Sequence, residues 1–245
     1  IVDKVDAVSI VTPTVTHYKL AKYFLDNKIH VLLEKPMTET VAQAKKLNAI
    51  ARKNKCVLQI GHLEQFNPAI RKLRKSSCKP QFIEVHRLCQ FNPRANDVDV
   101  VLDLMIHDID IVLSLVNKKI ESIEVSGKKI LTNLTDIANV RIKFKDNIVA
   151  NLTASRISSK NERKMRIFSN NSYYSIDFIN NKLKKIHKDR RNSFKVTDFN
   201  FKKTDTLNDE INNFINTCLG KEKSMTTGIS GLEALVVAKK ISKGF

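Results

Sequence analysis

The run V-L-D-L-M-I-H-D-I-D at residues 101–110 places ionisable side chains at helical spacing. On an α-helix Asp103, His107 and Asp110 occupy positions i, i+4 and i+7 of one face, whereas Asp108 projects elsewhere. A buried histidine beside a carboxylate can exchange protons near neutral pH, so the spacing indicates general acid–base chemistry. A divalent metal held by Asp103, His107 and an outside ligand is one alternative, and a purely structural polar stripe is another. Because no third ligand is evident, no metal is predicted.

A second group of charges follows the short apolar run at residues 31–33, where Glu34 and Lys35 stand before Pro36. A peptide bond before proline adopts the cis form more readily than any other, and a cis bond here would turn Lys35 toward a cleft. An ammonium beside a reacting C–OH group stabilises developing oxyanion character. Lys35 is therefore a candidate for polarising a substrate hydroxyl. The alternative is a surface ion pair that closes the strand.

Thr12 and Pro13 stand at the end of another apolar run, residues 7–11. In open parallel sheets, ligands bind beyond the carboxyl ends of the strands, which is the position that both this turn and residues 34–36 would occupy. Ordinary turn chemistry is the alternative for Thr12 and Pro13. His17, on the helix that follows, is either a packing residue of the helix face or a ligand contact.

The predicted secondary structure follows two different patterns, which divide the chain into two parts. Strands alternate with helices up to residue 61, which indicates a parallel sheet covered by helices, whereas later strands follow one another, which indicates an α+β domain on an antiparallel sheet. We expect domains at 1–62, the C-terminal part of a Rossmann domain, and 63–245, whose last helix is a candidate to pack back on the first domain. The predicted strands are 7–11, 30–33, 56–60, 82–89, 121–131, 136–145, 147–155, 163–169, 172–178 and an edge strand within 182–203, and the predicted helices are 15–27, one opened by a Thr40/Gln43 capping box, 101–116, 206–219 and 229–243.

Composition limits the partners. The net charge of +18 would suit a polyanion, but the basic residues are spread along the chain without a nucleic-acid motif, so we predict neither a nucleic-acid nor a membrane partner. No apolar run approaches the roughly 18 residues that span a bilayer. The four cysteines form no CxxC pair, which is typical of reduced thiols and predicts a cytoplasmic protein.

Four motifs in this order resemble the Gfo/Idh/MocA family, the relatives of glucose–fructose oxidoreductase and inositol dehydrogenase. They are V-D-A-V-S-I-V-T-P-T-V-T-H (5–17), E-K-P (34–36), G-H-L-E-Q-F-N-P (61–68) and D-L-M-I-H-D-I-D (103–110). The resemblance implies a Rossmann domain that binds NAD or NADP, with NAD favoured. It also implies an open antiparallel sheet of the glucose–fructose oxidoreductase C-terminal type, which forms the substrate wall and often the interface of a homodimer or homotetramer.

The same resemblance assigns roles to individual residues. Lys35 would contact the substrate hydroxyl and the nicotinamide, and His107 would move the hydroxyl proton with Asp103 as its neighbour. The residues implied to lie along the cofactor are Val11, Thr12, Pro13, His17, Glu34, Lys35 and Pro36.

Within the family the chain is most similar to the UDP-N-acetylglucosamine 3-dehydrogenase group of bacterial lipid A precursor synthesis. The run N-L-T-A-S-R at 151–156 belongs to this likeness. The implied reaction oxidises the sugar 3-hydroxyl of a nucleotide sugar to a ketone. Arg94, Arg156 and Lys160 are candidates for binding the diphosphate, since arginine meets phosphate bidentately, and Asn67 is a further candidate for the substrate.

The chain departs from the family at two places. Gln65 stands where many relatives have arginine, and the G-x-G-x-x-G turn that holds the pyrophosphate is absent. We therefore expect that about 70 to 80 residues, the first βαβ unit, precede this sequence in the intact protein. The alternative to an enzyme is an inactive truncated remnant, or a non-enzymatic dimerising domain that lacks the cofactor anchor.

Overall fold

The computed structural model describes residues 2–76, 78–92, 98–188, 193–202 and 204–245. These residues form two compact units. The first comprises Ile1–Phe66 and Asp205–Lys239, and the second comprises Asn67–Thr204 and Lys240–Phe245.

The described residues contain six α-helices, one π-helix and eleven strands. The α-helices are α1 (Thr14–Asp26), α2 (Val41–Lys53), α3 (Pro68–Arg74), α4 (Ile106–Val116), α5 (Thr206–Cys218) and α6 (Gly228–Ser242), and the π-helix is Val101–Met105. The strands are β1 (Ala7–Ile10), β2 (His30–Leu33), β3 (Leu58–Ile60), β4 (Pro80–Leu88), β5 (Ile120–Lys128), β6 (Ile137–Phe144), β7 (Val149–Ser155), β8 (Glu162–Ser169), β9 (Ser172–Asp177), β10 (Lys182–Lys188) and β11 (Phe194–Asn200).

The first unit is built on a parallel sheet in the order β1-β2-β3. The apolar run of β2 is buried on both faces, as expected for a central parallel strand with helices on either side. The predicted capping box is confirmed, because the Thr40 hydroxyl accepts the Gln43 N–H at 3.3 Å while the Gln43 side chain accepts the Thr40 N–H at 3.1 Å. The predicted alternation of strands and helices in residues 1–61 is confirmed as well.

Two late helices complete the first unit. The Ile60 N–H donates to the Thr226 carbonyl at 2.8 Å, which ties the segment between α5 and α6 to β3. A Cβ on Gly231 would lie 2.5 Å from Ile60, so α6 packs against β3 at a distance that only glycine allows. The structure thus groups residues 205–239, which the sequence assigned to the second domain, with the first 66 residues.

The second unit is built on an eight-stranded sheet in the order β11-β10-β9-β8-β4-β7-β6-β5, in which only the β4–β7 pair is parallel. Alternation fixes its two faces: Ala138, Val140 and Ile142 are buried, whereas Asn139 and Arg141 between them are exposed. The predicted combination of a Rossmann-type parallel sheet and a mostly antiparallel sheet is therefore confirmed.

Two predicted elements are corrected. The helix predicted at 101–116 begins with a π-helical turn and becomes α-helical at Ile106, because the Ile106 N–H bonds to the carbonyl of Val101, five residues back. The region 182–203 contains two full strands, β10 and β11, which pair with each other in antiparallel register. The π turn was not predicted because the apolar pattern of a single turn is too short to distinguish a five-residue hydrogen bond from a four-residue one. Strand β11 was not predicted because its residues alternate only weakly between apolar and polar.

Within the described ranges, no helix is both long enough and apolar enough to cross a membrane.

Candidate active site

In the first unit, the predicted cofactor residues lie at the carboxyl ends of adjacent parallel strands. The Glu34 N–H donates to the Ile10 carbonyl at 3.0 Å, so the turn after β2 is bonded to the end of β1. Val11 is 74% exposed, and Thr12 and Pro13 beside it are exposed as well. In open parallel sheets this edge is where ligands bind.

His17 connects the two turns from inside. Its ring is completely buried, with Nδ1 2.9 Å from the Pro36 carbonyl and Nε2 2.8 Å from the Thr12 carbonyl. Both neighbours are acceptors, so a neutral ring can donate to only one of them and an imidazolium can donate to both. With both nitrogens facing the backbone, the contacts of His17 fit support of the two turns rather than contact with a cofactor.

Lys35 directly precedes Pro36, one of the two residues that His17 contacts. The Lys35–Pro36 peptide bond is cis, as expected, and Pro36 and Met37 are buried while Lys35 is half-buried. Because the Pro36 carbonyl is bonded to His17, the backbone that carries Lys35 is fixed immediately after the lysine.

Glu34 lies against the end of β3. A Cβ on Gly61 would be 2.7 Å from Glu34 Oε2 and 3.3 Å from its Cα, so glycine is needed there for close approach. Glu210, on α5, is a second carboxyl of this region and is 2% exposed. Its burial, together with the charge of Glu34, raises the pKa of Glu210 to about 8, which keeps it protonated at neutral pH. Sequence reasoning missed Glu210.

In the second unit, Asp103 lies in the π-helical turn and His107 in the first turn of α4, and both are half-buried. Asp110 is buried instead, near α3, where burial lowers the pKa of Arg74 and the charge of Asp110 opposes that change. Asp110 therefore differs from half-buried Asp103 and His107 in its burial, and the common face of the three residues stays a prediction.

Asp108 anchors the same helix to the sheet. Arg87 of β4 donates through Nε to Asp108 Oδ2 at 2.7 Å and through Nη2 to Oδ1 at 2.8 Å, and both side chains are buried. This bidentate pair holds α4 on β4 next to His107. Sequence reasoning missed Arg87, although it shares the inward parity of Ile83 and Val85 on β4.

Arg156 is buried in a second ion pair. Its Nε donates to Asp136 Oδ1 at 3.0 Å, and its Nη1 and Nη2 donate to the carbonyls of Val98 and Thr135 at 2.9 and 3.1 Å. Because Arg156 is 2% exposed and its guanidinium is bonded within the unit, the structure does not support direct phosphate binding by Arg156.

The other predicted substrate residues differ in their surroundings. The Asn67 side chain caps α3 by accepting the Ala69 N–H at 2.9 Å and is buried. Lys160 is 73% exposed and lies 3.6 Å from Glu162. Arg94 lies outside the described residues.

The outer face of the eight-stranded sheet carries a cavity of about 580 Å³ lined by polar side chains of β4 to β7. Several of these side chains bind each other, for example Asn139 with Thr153 at 2.9 Å and Arg141 with Asn151 at 3.2 Å. In the described part of the chain, no group of three His, Cys, Asp or Glu side chains could hold a metal ion.

Two family profiles match the chain. Residues 1–62 match the oxidoreductase family with an NAD-binding Rossmann fold, and residues 82–174 match the GFO/IDH/MocA C-terminal domain.

Individual relatives agree with the profiles. UDP-N-acetylglucosamine 3-dehydrogenase of Acidithiobacillus ferrooxidans is 35% identical over 97% of this chain and 78% of its own. A solved structure of that enzyme superposes with a TM-score of 0.94, covering 99% of this chain and 79% of the other. An NAD(+)-dependent scyllo-inositol 2-dehydrogenase of Bacillus subtilis is 28% identical over 63% of this chain and 49% of its own. The chain belongs to the Gfo/Idh/MocA family of oxidoreductases, which use a nicotinamide cofactor.

Proposed function

We propose that this protein is an NAD-dependent dehydrogenase that oxidises the C3 hydroxyl of a UDP-N-acetylhexosamine. The observation that carries the proposal is the 35% identity to a UDP-N-acetylglucosamine 3-dehydrogenase over almost the whole chain. Lys35, Asp103 and His107 are all present with buried supports beside them. The scyllo-inositol 2-dehydrogenase of Bacillus subtilis uses NAD(+), which favours NAD over NADP for this protein.

The cofactor, when bound, accepts a hydride from the sugar carbon. Exposed Val11 and Thr12 and the turn of Glu34 and Pro36 are proposed to lie along it. Lys35 is proposed to donate a hydrogen bond to the reacting hydroxyl, which stabilises its developing negative charge. His107, with Asp103 nearby in the chain, is proposed to take the hydroxyl proton as general base.

The proposal is tested by NAD⁺ reduction with three candidate substrates. UDP-N-acetylglucosamine should be oxidised, UDP-glucose, which lacks the acetamido group, should react more slowly, and myo-inositol should not react. Exchange of Lys35→Met or His107→Ala should lower turnover by about 10² to 10⁴-fold, because a positioned proton donor or acceptor is lost.

A matched control keeps this test specific. Lys45 on α2 is exposed and belongs to the same unit as Lys35, and Lys45→Met should retain wild-type turnover. Wild-type turnover in Lys35→Met and His107→Ala would contradict the proposal. Failure of the protein to bind NADH in a fluorescence titration would favour the non-enzymatic alternative.

We also propose a homodimer or homotetramer that forms through the outer face of the eight-stranded sheet. That face supports the proposal because it spans several adjacent strands and exposes polar side chains such as Arg141 and Asn139 of β6. Sedimentation as a dimer or tetramer supports this assembly, and sedimentation as a monomer contradicts it. The free cysteines favour the cytoplasm as the compartment.

A further inference from the structure

We infer that Arg156 and Asp99 are positioning residues of the proposed dehydrogenase: together they fix the start of the π-helical turn that carries Asp103. The inference rests on the proposed function for its catalytic consequence. It assigns to Arg156 a task other than phosphate binding, and it gives Asp99 a role that the sequence did not suggest.

The network starts from Asp136, which is completely buried. Its Oδ2 accepts the N–H groups of Ile130, Leu131 and Thr132 at 2.7 to 2.9 Å, and its Oδ1 accepts Arg156 Nε at 3.0 Å. The Arg156 N–H also donates to the Asp136 carbonyl at 3.0 Å. The guanidinium is thus held through both its side chain and its backbone.

Arg156 also binds the segment that precedes the π turn. Nη1 binds the Val98 carbonyl at 2.9 Å and Nη2 binds the Thr135 carbonyl at 3.1 Å. The Thr135 carbonyl also accepts the Val100 N–H at 3.0 Å. Val98 and Val100, the two neighbours of Asp99, are therefore bonded to Arg156 and to the Thr135 carbonyl, which are themselves bonded to each other.

Asp99 binds the backbone of the π turn itself. Its Oδ1 accepts the N–H groups of Val101 and Leu102 at 2.9 and 3.0 Å, and its carbonyl accepts the Asp103 N–H at 3.0 Å. Because a π turn bonds each N–H five residues back, its first residues have no partner within the helix, and this cap supplies one. The backbone N–H of Asp103 is thereby bonded to Asp99, whose neighbours Val98 and Val100 are bonded to Arg156 and to the Thr135 carbonyl.

The chemistry requires arginine. Three separate acceptors, a carboxylate and two carbonyls, surround one planar group, and only a guanidinium presents N–H donors in a fixed fork of that shape. A lysine would keep the charge beside Asp136 but could not hold Val98 and Thr135 at the same time.

The test compares Asp99→Ala with Asp177→Ala. Both aspartates are half-buried, and each accepts two backbone N–H groups, since Asp177 Oδ1 binds Ile179 and Asn180 at 3.1 and 3.0 Å. Asp99→Ala should lower kcat by up to about 10²-fold with KM for UDP-N-acetylglucosamine nearly unchanged, because a displaced catalytic group slows chemistry more than binding. Asp177→Ala should keep the wild-type kcat. Equal kcat values in the two variants would overturn the inference.

Arg156→Lys separates positioning from phosphate binding. We expect a fall in kcat while the affinity for UDP, measured by calorimetry, stays at the wild-type value. A loss of UDP affinity with kcat retained would show a phosphate ligand and overturn the inference.

A readout that needs no turnover keeps the two proposals separable. The ring chemical shifts of His107, assigned with His107→Gln, should change in Asp99→Ala and not in Asp177→Ala. Changed shifts together with a wild-type protein inactive on all UDP-sugars would support the positioning and contradict the proposed substrate. Unchanged shifts in both variants would overturn the positioning, whatever the activity.

Discussion

The two units support their proposed catalytic residues with different chemistry. In the first unit, one buried imidazole lies within hydrogen-bond distance of the carbonyls of Thr12 and of Pro36, the residue directly after Lys35. In the second unit, the buried Arg87–Asp108 pair holds the helix that carries His107, and the buried Arg156–Asp136 pair binds the segment before that helix through the Val98 carbonyl. One half therefore depends on hydrogen bonds to backbone groups and the other on paired charges.

The difference follows from the backbone in each place. The turns after β1 and β2 are already placed by the parallel ladder between those strands, so a single side chain suffices to join them. The π-helical turn and α4 have no ladder to the sheet, and side chains must supply the attachment. Paired buried charges do so with fixed geometry, but each pair becomes costly when one partner is removed.

The largest effect on stability is expected from breaking an ion pair in the second unit. Asp108→Ala leaves the Arg87 guanidinium buried without its carboxylate, so unfolding free energy should fall by about 3–5 kcal/mol in chemical denaturation. Replacing both partners, as in Arg87→Met with Asp108→Leu, should recover much of that loss because no unpaired charge is buried. If the double variant is as unstable as Asp108→Ala, the charge argument fails.

A smaller effect is expected in the first unit. His17→Ala removes the ring that lies against the buried Pro36 carbonyl and the Thr12 carbonyl, and a buried acceptor left without a donor costs about 1–3 kcal/mol, measured in the same denaturation assay. Turnover should fall as well, because the backbone next to Lys35 loses its fixed contact. Half-buried His86, whose Nδ1 lies 3.5 Å from Glu162, serves as the comparison, and its alanine variant should lose less stability than His17→Ala. A loss from His17→Ala larger than that from Asp108→Ala would reverse the comparison between the units.

Acid should weaken the second unit through Asp136. Burial alone would raise the pKa of Asp136, but hydrogen bonds from the Thr132 hydroxyl and from the N–H groups of Ile130, Thr132 and Leu131 hold this pKa well below its usual value. A depressed folded-state pKa contributes stability above the unfolded value near 3.8, and that stability is lost as the pH falls. Asp136→Asn should therefore unfold with a weaker dependence on pH between about 5 and 2. An unchanged pH dependence would contradict this role.

Alkali should weaken the first unit through Glu210. Its pKa is raised to about 8 by burial and by Glu34, against 4.5 for the free side chain. The folded state then binds a proton that the unfolded state has released, so stability falls as the pH rises from about 4.5 to 8. Glu210→Gln should remove that decline in unfolding free energy and be relatively more stable at pH 9 than at pH 5. A parallel decline in both proteins would rule out Glu210 as its source.

The sequence was sufficient for the first unit because its signals are local. An apolar run ending in a proline and a charge indicates a strand exit, and two such exits on neighbouring parallel strands must share an edge. The groups at Thr12 and Lys35 could therefore be placed at one edge in advance. The role of His17 could not, because whether a helical histidine faces the turns or the solvent depends on packing.

The supports of the second unit were not predicted because their partners lie 20 and 21 residues apart on different elements. A charged residue on a strand is predicted to be exposed unless its position in the alternation of inward and outward side chains is taken into account. Arg156 continues the inward parity of Leu152 and Ala154, and Asp136 precedes that of Ala138. Inward parity on two neighbouring strands with opposite charges was the signal available for a buried pair.

The most direct test of the proposed function is isotope transfer from a defined carbon. UDP-N-acetylglucosamine carrying deuterium at C3 is incubated with the protein and NAD⁺, and the cofactor is examined by mass spectrometry. We predict deuterium in the reduced cofactor and a primary isotope effect on turnover, and His107→Ala should form the deuterated cofactor about 10² to 10⁴-fold more slowly. Reduced cofactor without deuterium would place the reaction at another carbon, and the absence of reduced cofactor would contradict the dehydrogenase itself.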